Sequence, residues 1–131
     1  MTIARAVIEA IVAHARESAP AECCGLLIGR PGAVTEAARA RNISDRPTRY
    51  LLDPKDHIDV RRACRQRDLE IVGFYHSHPR PPAEPSETDQ IEASYSDHLY
   101  LIVALGPADP EIGLFRFAGR NFRREAFVTL G

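Results

Sequence analysis

Apolar side chains recur along the first stretch of the chain at Ile3, Val7 and Ile11, with Ile8 and Val12 on the adjacent row. That i, i+4 spacing lines one helix face, so the pattern predicts an amphipathic helix over 3–18, capped by Thr2 and ended by Pro20. Beyond it the period changes. CCGLLIG (23–29) reads as a mostly buried strand stopped by Pro31 and Gly32, with 33–43 as its hairpin partner and TRYLLD (48–53) as a further short strand. Pro54 opens a second helix over 54–68, with Ile58, Cys64 and Leu69 inward and the solvated Arg61, Arg62, Arg65 and Gln66 largely outward. EIVGFYHSH (70–78) is aromatic and β-branched, as a central strand is. A proline-dense loop, PRPPAEP, leads to Ser86 and a short helix over SETDQIEASY. LYLIVALG (99–106) is then a buried strand, and EIGLFRFAG with NFRREAFVTL forms a hairpin turning at 119–121.

Strands and helices intermingle without repeats or a long linker. The expected fold class is therefore α/β (α+β), one mixed sheet flanked by helices in a single domain over 1–131. The 17 basic residues nearly cancel the 18 acidic ones, so no net field attracts nucleic acid or an anionic membrane. The longest apolar run, Leu99 to Leu105, is far short of the roughly 20 residues of a membrane-spanning helix. Glu9, His14 and Arg16 interrupt the N-terminal stretch where a secretory signal needs unbroken apolar residues, which gives a cytoplasmic expectation. Cys23, Cys24 and Cys64 cannot all pair and form no C-x-x-C unit, so neither a disulfide framework nor a thiolate zinc knuckle is indicated.

The most informative stretch is His76-Ser77-His78-Pro79. In a strand, residues two apart point to one side and can converge on one metal ion; on a helix they diverge. Two neutral imidazoles and a carboxylate leave a tetrahedral zinc ion with an open position for water, whose pKa zinc lowers to about 7. Asp89, just beyond the proline loop, is the nearest carboxylate so placed. Each residue also has a plainer explanation. An isolated H-x-H is commonly incidental, Ser86-x-x-Asp89 reads as a capping pair, and Glu22 as a strand-edge carboxylate.

Taken together, Glu22, His76-Ser77-His78-Pro79, the six residues RPPAEP, Ser86 and Asp89 resemble the JAMM or MPN-domain zinc metalloproteases at every motif position. PAECCGLLIG and IVGFYHSHP look like the prokaryotic branch. The resemblance implies the MPN/JAMM fold, similar to the cytidine-deaminase-like architecture. It also implies one zinc ion held by His76, His78 and Asp89, with Glu22 as general base and Ser86 as an oxyanion donor. No covalent nucleophile is then required, which leaves Cys23 and Cys24 as packing residues facing opposite ways.

The implied activity is hydrolysis of the amide bond after the C-terminal diglycine of a ubiquitin-like or sulfur-carrier protein. Little room exists for the insertions with which eukaryotic members grip polyubiquitin. An extended diglycine tail needs a narrow groove and backbone hydrogen bonds, such as an exposed strand edge provides. The alternatives are a JAMM-like DNA-repair-associated protein and a noncatalytic binding module, and a homodimer stays open. The deaminase signature of H-x-E with P-C-x-x-C is absent. The P-x-x-P spacings of the loop read as a stiff connector rather than a ligand, and His14, His57 and His98 as ordinary packing or surface residues.

Overall fold

The computed structural model describes residues 1–87, 89, 95 and 97–131. In chain order the elements are β1 (Thr2–Ala4), α1 (Arg5–Ser18), β2 (Cys24–Arg30), β3 (Ala33–Ala40), α2 (Pro54–Gln66), β4 (Glu70–His78), β5 (Leu99–Ala104), β6 (Glu111–Ala118), β7 (Asn121–Arg124) and β8 (Val128–Leu130). The strands form one mixed eight-stranded sheet in the order β7-β6-β5-β4-β2-β3-β1-β8, the sheet with flanking helices that the pattern predicts. β4 lies inside it, antiparallel to β2 and parallel to β5, so both of its edges are occupied. The parallel pairing requires a crossover, and the residues between β4 and β5 include the proline-dense loop and Asp89.

Period-two alternation sorts the side chains of each strand between the two faces. Tyr75 of β4 joins Val7, Ile11, Leu27 and Leu101 in the core beneath α1. Phe74 joins Cys24, Leu26 and Tyr100 on the opposite face, with Val60 of α2 packed against them. Fully burying an Ile or Leu contributes about 1.5–3 kcal/mol, and the α1 face carries most of this burial. Gly25 is required beside Tyr75, because a Cβ there would overlap the tyrosine ring and the Ala38 carbonyl. His76 and His78 share the parity of Phe74 and emerge on the α2 face at the end of β4.

Four expectations are corrected. The first helix begins at Arg5, not Ile3. Residues 2–4 are instead a strand, parallel to β3 and β8, and Ala4 is the N-cap without a side-chain cap bond. The fully buried Ile3 suits either role, so local spacing does not separate them. Over 48–53 only a single bridge, Asn42 to Leu52, forms. On α2, His57, Val60 and Cys64 face the sheet, while Ile58, about a quarter turn away, is 50% exposed. Finally, NFRREAFVTL is not one hairpin arm: β7 completes the hairpin and β8 crosses to pair with β1. Of the helix expected over 86–95, Glu87 and Asp89 are helical, and residues 88 and 90–94 lie outside the described residues. No helix among the described residues is long and apolar enough to cross a membrane.

Candidate metal centre

The pleat of β4 places His76 and His78 on one face and Ser77 on the other. Ser77 is buried, and its Oγ accepts the Cys23 N–H at 2.8 Å while its own N–H donates to the Cys23 carbonyl at 3.1 Å. These two bonds fasten the end of β4 to the residue after Glu22, which sets Glu22 beside the histidines. The proline loop returns the chain to the same place. His78 Nδ1 meets the Pro82 carbonyl at 3.3 Å, leaving Nε2 directed at Asp89.

His76 Nε2 and His78 Nε2 are 3.2 Å apart, and each lies 3.1 Å from Asp89 Oδ2. Ligand atoms of a tetrahedral zinc ion, each about 2.0 Å from the metal, are separated by roughly 3.3 Å. The triangle therefore fits zinc. Glu22 joins the same group, with the ligand atoms of Glu22, His76 and His78 all within 4.8 Å of one another. Two carboxylates thus address the same imidazoles, Asp89 in direct contact and Glu22 within 4.8 Å.

Ser86 and Asp89 also make both bonds of a capping box. The Ser86 N–H donates to Asp89 Oδ2 at 2.8 Å, and the Asp89 N–H donates to Ser86 Oγ at 3.0 Å. Capping and site formation are therefore not competing explanations. The helix cap is what aims the carboxylate, because the oxygen that accepts the Ser86 amide is the one facing both imidazoles.

Burial disfavours the Asp89 carboxylate, but the facing imidazoles of His76 and His78 outweigh it and hold the group well below the usual carboxylate range. Burial pushes His76 down despite Asp89. For His78 burial is opposed by Asp89 and the Pro82 carbonyl, and the net direction is upward. A neutral His76 and an ionised Asp89 are already in the form a divalent cation requires, and His78 would give up its proton on binding one. The cysteines differ in every respect: Cys23 packs in the α1 core, Cys24 packs on the other face, and burial pushes the Cys24 thiol up to about 12.

A cleft of about 300 Å³ opens over Glu22, His78, Ser86 and Asp89, with Arg49 and Arg80 at its sides. Next to it lies an apolar groove of about 260 Å³ lined by Leu51, His57, Phe74, Tyr95 and Tyr100, and Tyr50 forms a wall of both. Both edges of β4 are taken by β2 and β5, so the strand edge expected beside the metal is not that of β4. Tyr50 carries no motif, and its place becomes visible only in three dimensions, stacked on His76. His57 and His98, read as ordinary residues, both contact Phe74 in the aromatic cluster around the apolar groove. His14 lies on the other face, bonded to the Tyr75 hydroxyl at 2.7 Å.

The family model described as prokaryotic homologs of the JAB domain matches residues 4–118. The desampylase of Haloferax volcanii is 35% identical over 130 residues, covering 94% of this chain and 91% of its own. The CysO-cysteine peptidase of Mycobacterium tuberculosis is 37% identical over 106 residues, covering 75% of this chain and 68% of its own. A solution structure of a Desulfitobacterium hafniense protein superposes with a TM-score of 0.90 at 30% identity, covering 98% of this chain and 92% of that one. A JAB1/MPN domain protein from Archaeoglobus fulgidus shares the fold at a TM-score of 0.68 and 19% identity, over 100% of both chains.

Proposed function

Because this chain belongs to the family of prokaryotic homologs of the JAB domain, we propose that it is a zinc-dependent peptidase that hydrolyses the amide bond following the C-terminal diglycine of a ubiquitin-like or sulfur-carrier protein. The observation that carries the reading is the convergence of His76, His78 and Asp89, with the Glu22 carboxylate within 4.8 Å of both imidazoles. The names of the relatives, desampylase and CysO-cysteine peptidase, support a protein conjugate as substrate.

His76 Nε2, His78 Nε2 and Asp89 Oδ2 would hold the zinc. When bound, it supplies Lewis acidity, which acidifies water and polarises the scissile carbonyl. Glu22 takes the proton of the attacking water at its carboxylate and delivers it to the leaving nitrogen, so that water is divided between the new acid and the released amine. The Ser86 hydroxyl donates to the developing oxyanion; its oxygen accepts the Asp89 N–H, which leaves the O–H available for the cleft. The extended tail lies along residues 50–52, between the two clefts, where small side chains are obligatory.

Glu22→Gln tests the chemistry. Zinc content is expected to stay near one per chain while single-turnover cleavage of a diglycine-ended protein joined to lysine or cysteine falls by roughly 10²- to 10⁴-fold. Mass spectrometry of the products reads the cleavage. Wild-type turnover by Glu22→Gln would overturn the mechanism, and equal cleavage of a tail with both glycines changed to leucine would overturn the substrate class. An unchanged biological readout with Glu22→Gln would instead favour a binding module.

A further inference from the structure

We propose that Asn42 is a positioning residue whose carboxamide clamps the backbone of Glu22 to the loop that carries Tyr50, and so sets the Glu22 carboxylate against the imidazoles. The proposal rests on the reading of Glu22 as the proton carrier given above. Asn42 Nδ2 donates to the Glu22 carbonyl at 3.0 Å and to the Arg49 carbonyl at 3.0 Å. Its Oδ1 accepts the Ser44 N–H at 3.0 Å and the Leu51 N–H at 2.9 Å. A carboxamide has two donor hydrogens and two acceptor lone pairs, and backbone groups engage all four here.

The backbone of Glu22 is tied to this unit twice, since its own N–H donates to the Pro47 carbonyl at 2.9 Å. The loop is closed at its neck by Ile43 N–H to the Leu51 carbonyl at 2.9 Å and by Asp53 N–H to the Arg41 carbonyl at 3.0 Å. The same loop presents Tyr50, whose ring stacks on His76. One half-buried side chain therefore joins the acid that faces the imidazoles to the ring that backs one of them. A catalytic group displaced by about 1 Å can cost on the order of 100-fold in rate.

The test measures Asn42→Ala and Asn42→Asp in the zinc-loaded protein, each alone and combined with Glu22→Gln. The probe is a small diglycine-ended protein joined through its tail to the Nζ of a peptide lysine. Aspartate keeps the acceptors for Ser44 and Leu51 but has no hydrogen for the Glu22 or Arg49 carbonyl. Both single variants are expected to lose about 10- to 100-fold in kcat, with KM changed less than about threefold and zinc retained. In the Glu22→Gln background the added loss should be under about threefold, because a residue acting through Glu22 has nothing left to place. Amide hydrogen exchange at Glu22 should accelerate at least about tenfold in both variants, with Leu51 still protected in Asn42→Asp. Wild-type kcat in both variants, or full additivity with Glu22→Gln, would overturn the proposal. Loss of the melting transition in both would also overturn it, by making Asn42 a determinant of the fold. If Glu22→Gln alone keeps wild-type turnover, or the wild type leaves the probe intact, the reading of the site fails instead, and unchanged Glu22 amide exchange then shows whether the clamp has failed as well.

Discussion

The phenol ring of Tyr50 lies against the imidazole of His76, with centroids 4.3 Å apart and planes 21° from parallel. His76 Nδ1 is buried with no hydrogen-bond partner among the described residues, so the Tyr50 ring and the Nε2 contact to Asp89 together orient this imidazole. Tyr50→Ala is expected to weaken zinc binding about 10- to 100-fold, the range for losing the group that supports a ligand. Tyr50→Phe keeps the ring and should stay within about threefold of wild type. Competition against a chromophoric chelator measures both.

Removing a donor should empty the site. Zinc content is expected to fall from about one per chain to under about 0.1 in His78→Ala and in Asp89→Ala, read by elemental analysis. Ligand binding to the native state also stabilises it, by about 4 kcal/mol when free zinc exceeds Kd a thousandfold. Chelation should therefore lower the melting temperature of the wild type and leave that of His76→Ala unchanged. Equal zinc in wild type and His78→Ala would exclude this ligand set.

The residues of the candidate site carry local signals in the sequence, whereas two strands of the sheet around them do not. His76 and His78 announce themselves because a strand's two-residue period is visible in any H-x-H, and Ser86-x-x-Asp89 is a local capping pattern. β1 and β8 carry no comparable signal. Their pairing is parallel and joins opposite ends of the chain, so nothing near Thr2 or Val128 encodes it. The strand expected over 48–53 fails for a physical reason: the Asn42 side chain takes the Arg49 carbonyl and the Leu51 N–H that a partner strand would otherwise use. Asn42 itself is invisible in sequence, since all four of its partners are backbone atoms.

Ser77→Ala should destabilise the protein although the residue touches no metal donor. It leaves the Cys23 amide buried without its acceptor at 2.8 Å, and an unsatisfied buried donor costs about 1–3 kcal/mol. Urea denaturation, compared at equal slope, gives the value. A difference below about 0.5 kcal/mol would show that another group replaces the hydroxyl.

The thiols should be inert in the native protein. Burial raises the Cys24 thiol from 9.0 to about 12 and moves Cys23 and Cys64 upward as well. At pH 8 alkylation by iodoacetamide should be slow in the folded chain and complete at all three cysteines in guanidinium. The same shift links stability to alkaline pH. The neutral Cys24 thiol favours the folded state fully below about pH 9, and that contribution is lost as pH rises through about 12. Rapid native labelling of Cys24 at pH 8 would contradict its burial.

The pleat of β4 makes the strand a partition between two kinds of experiment. Tyr75 looks into the α1 core, whereas His76 and His78 look into the cleft. A substitution scan along this strand, scored once by melting temperature and once by metal content, should produce two traces that alternate out of phase, each rising where the other is flat. Ser77 faces the core yet ties down the neighbour of Glu22, so it is the position expected to break that alternation by registering in stability and in turnover together.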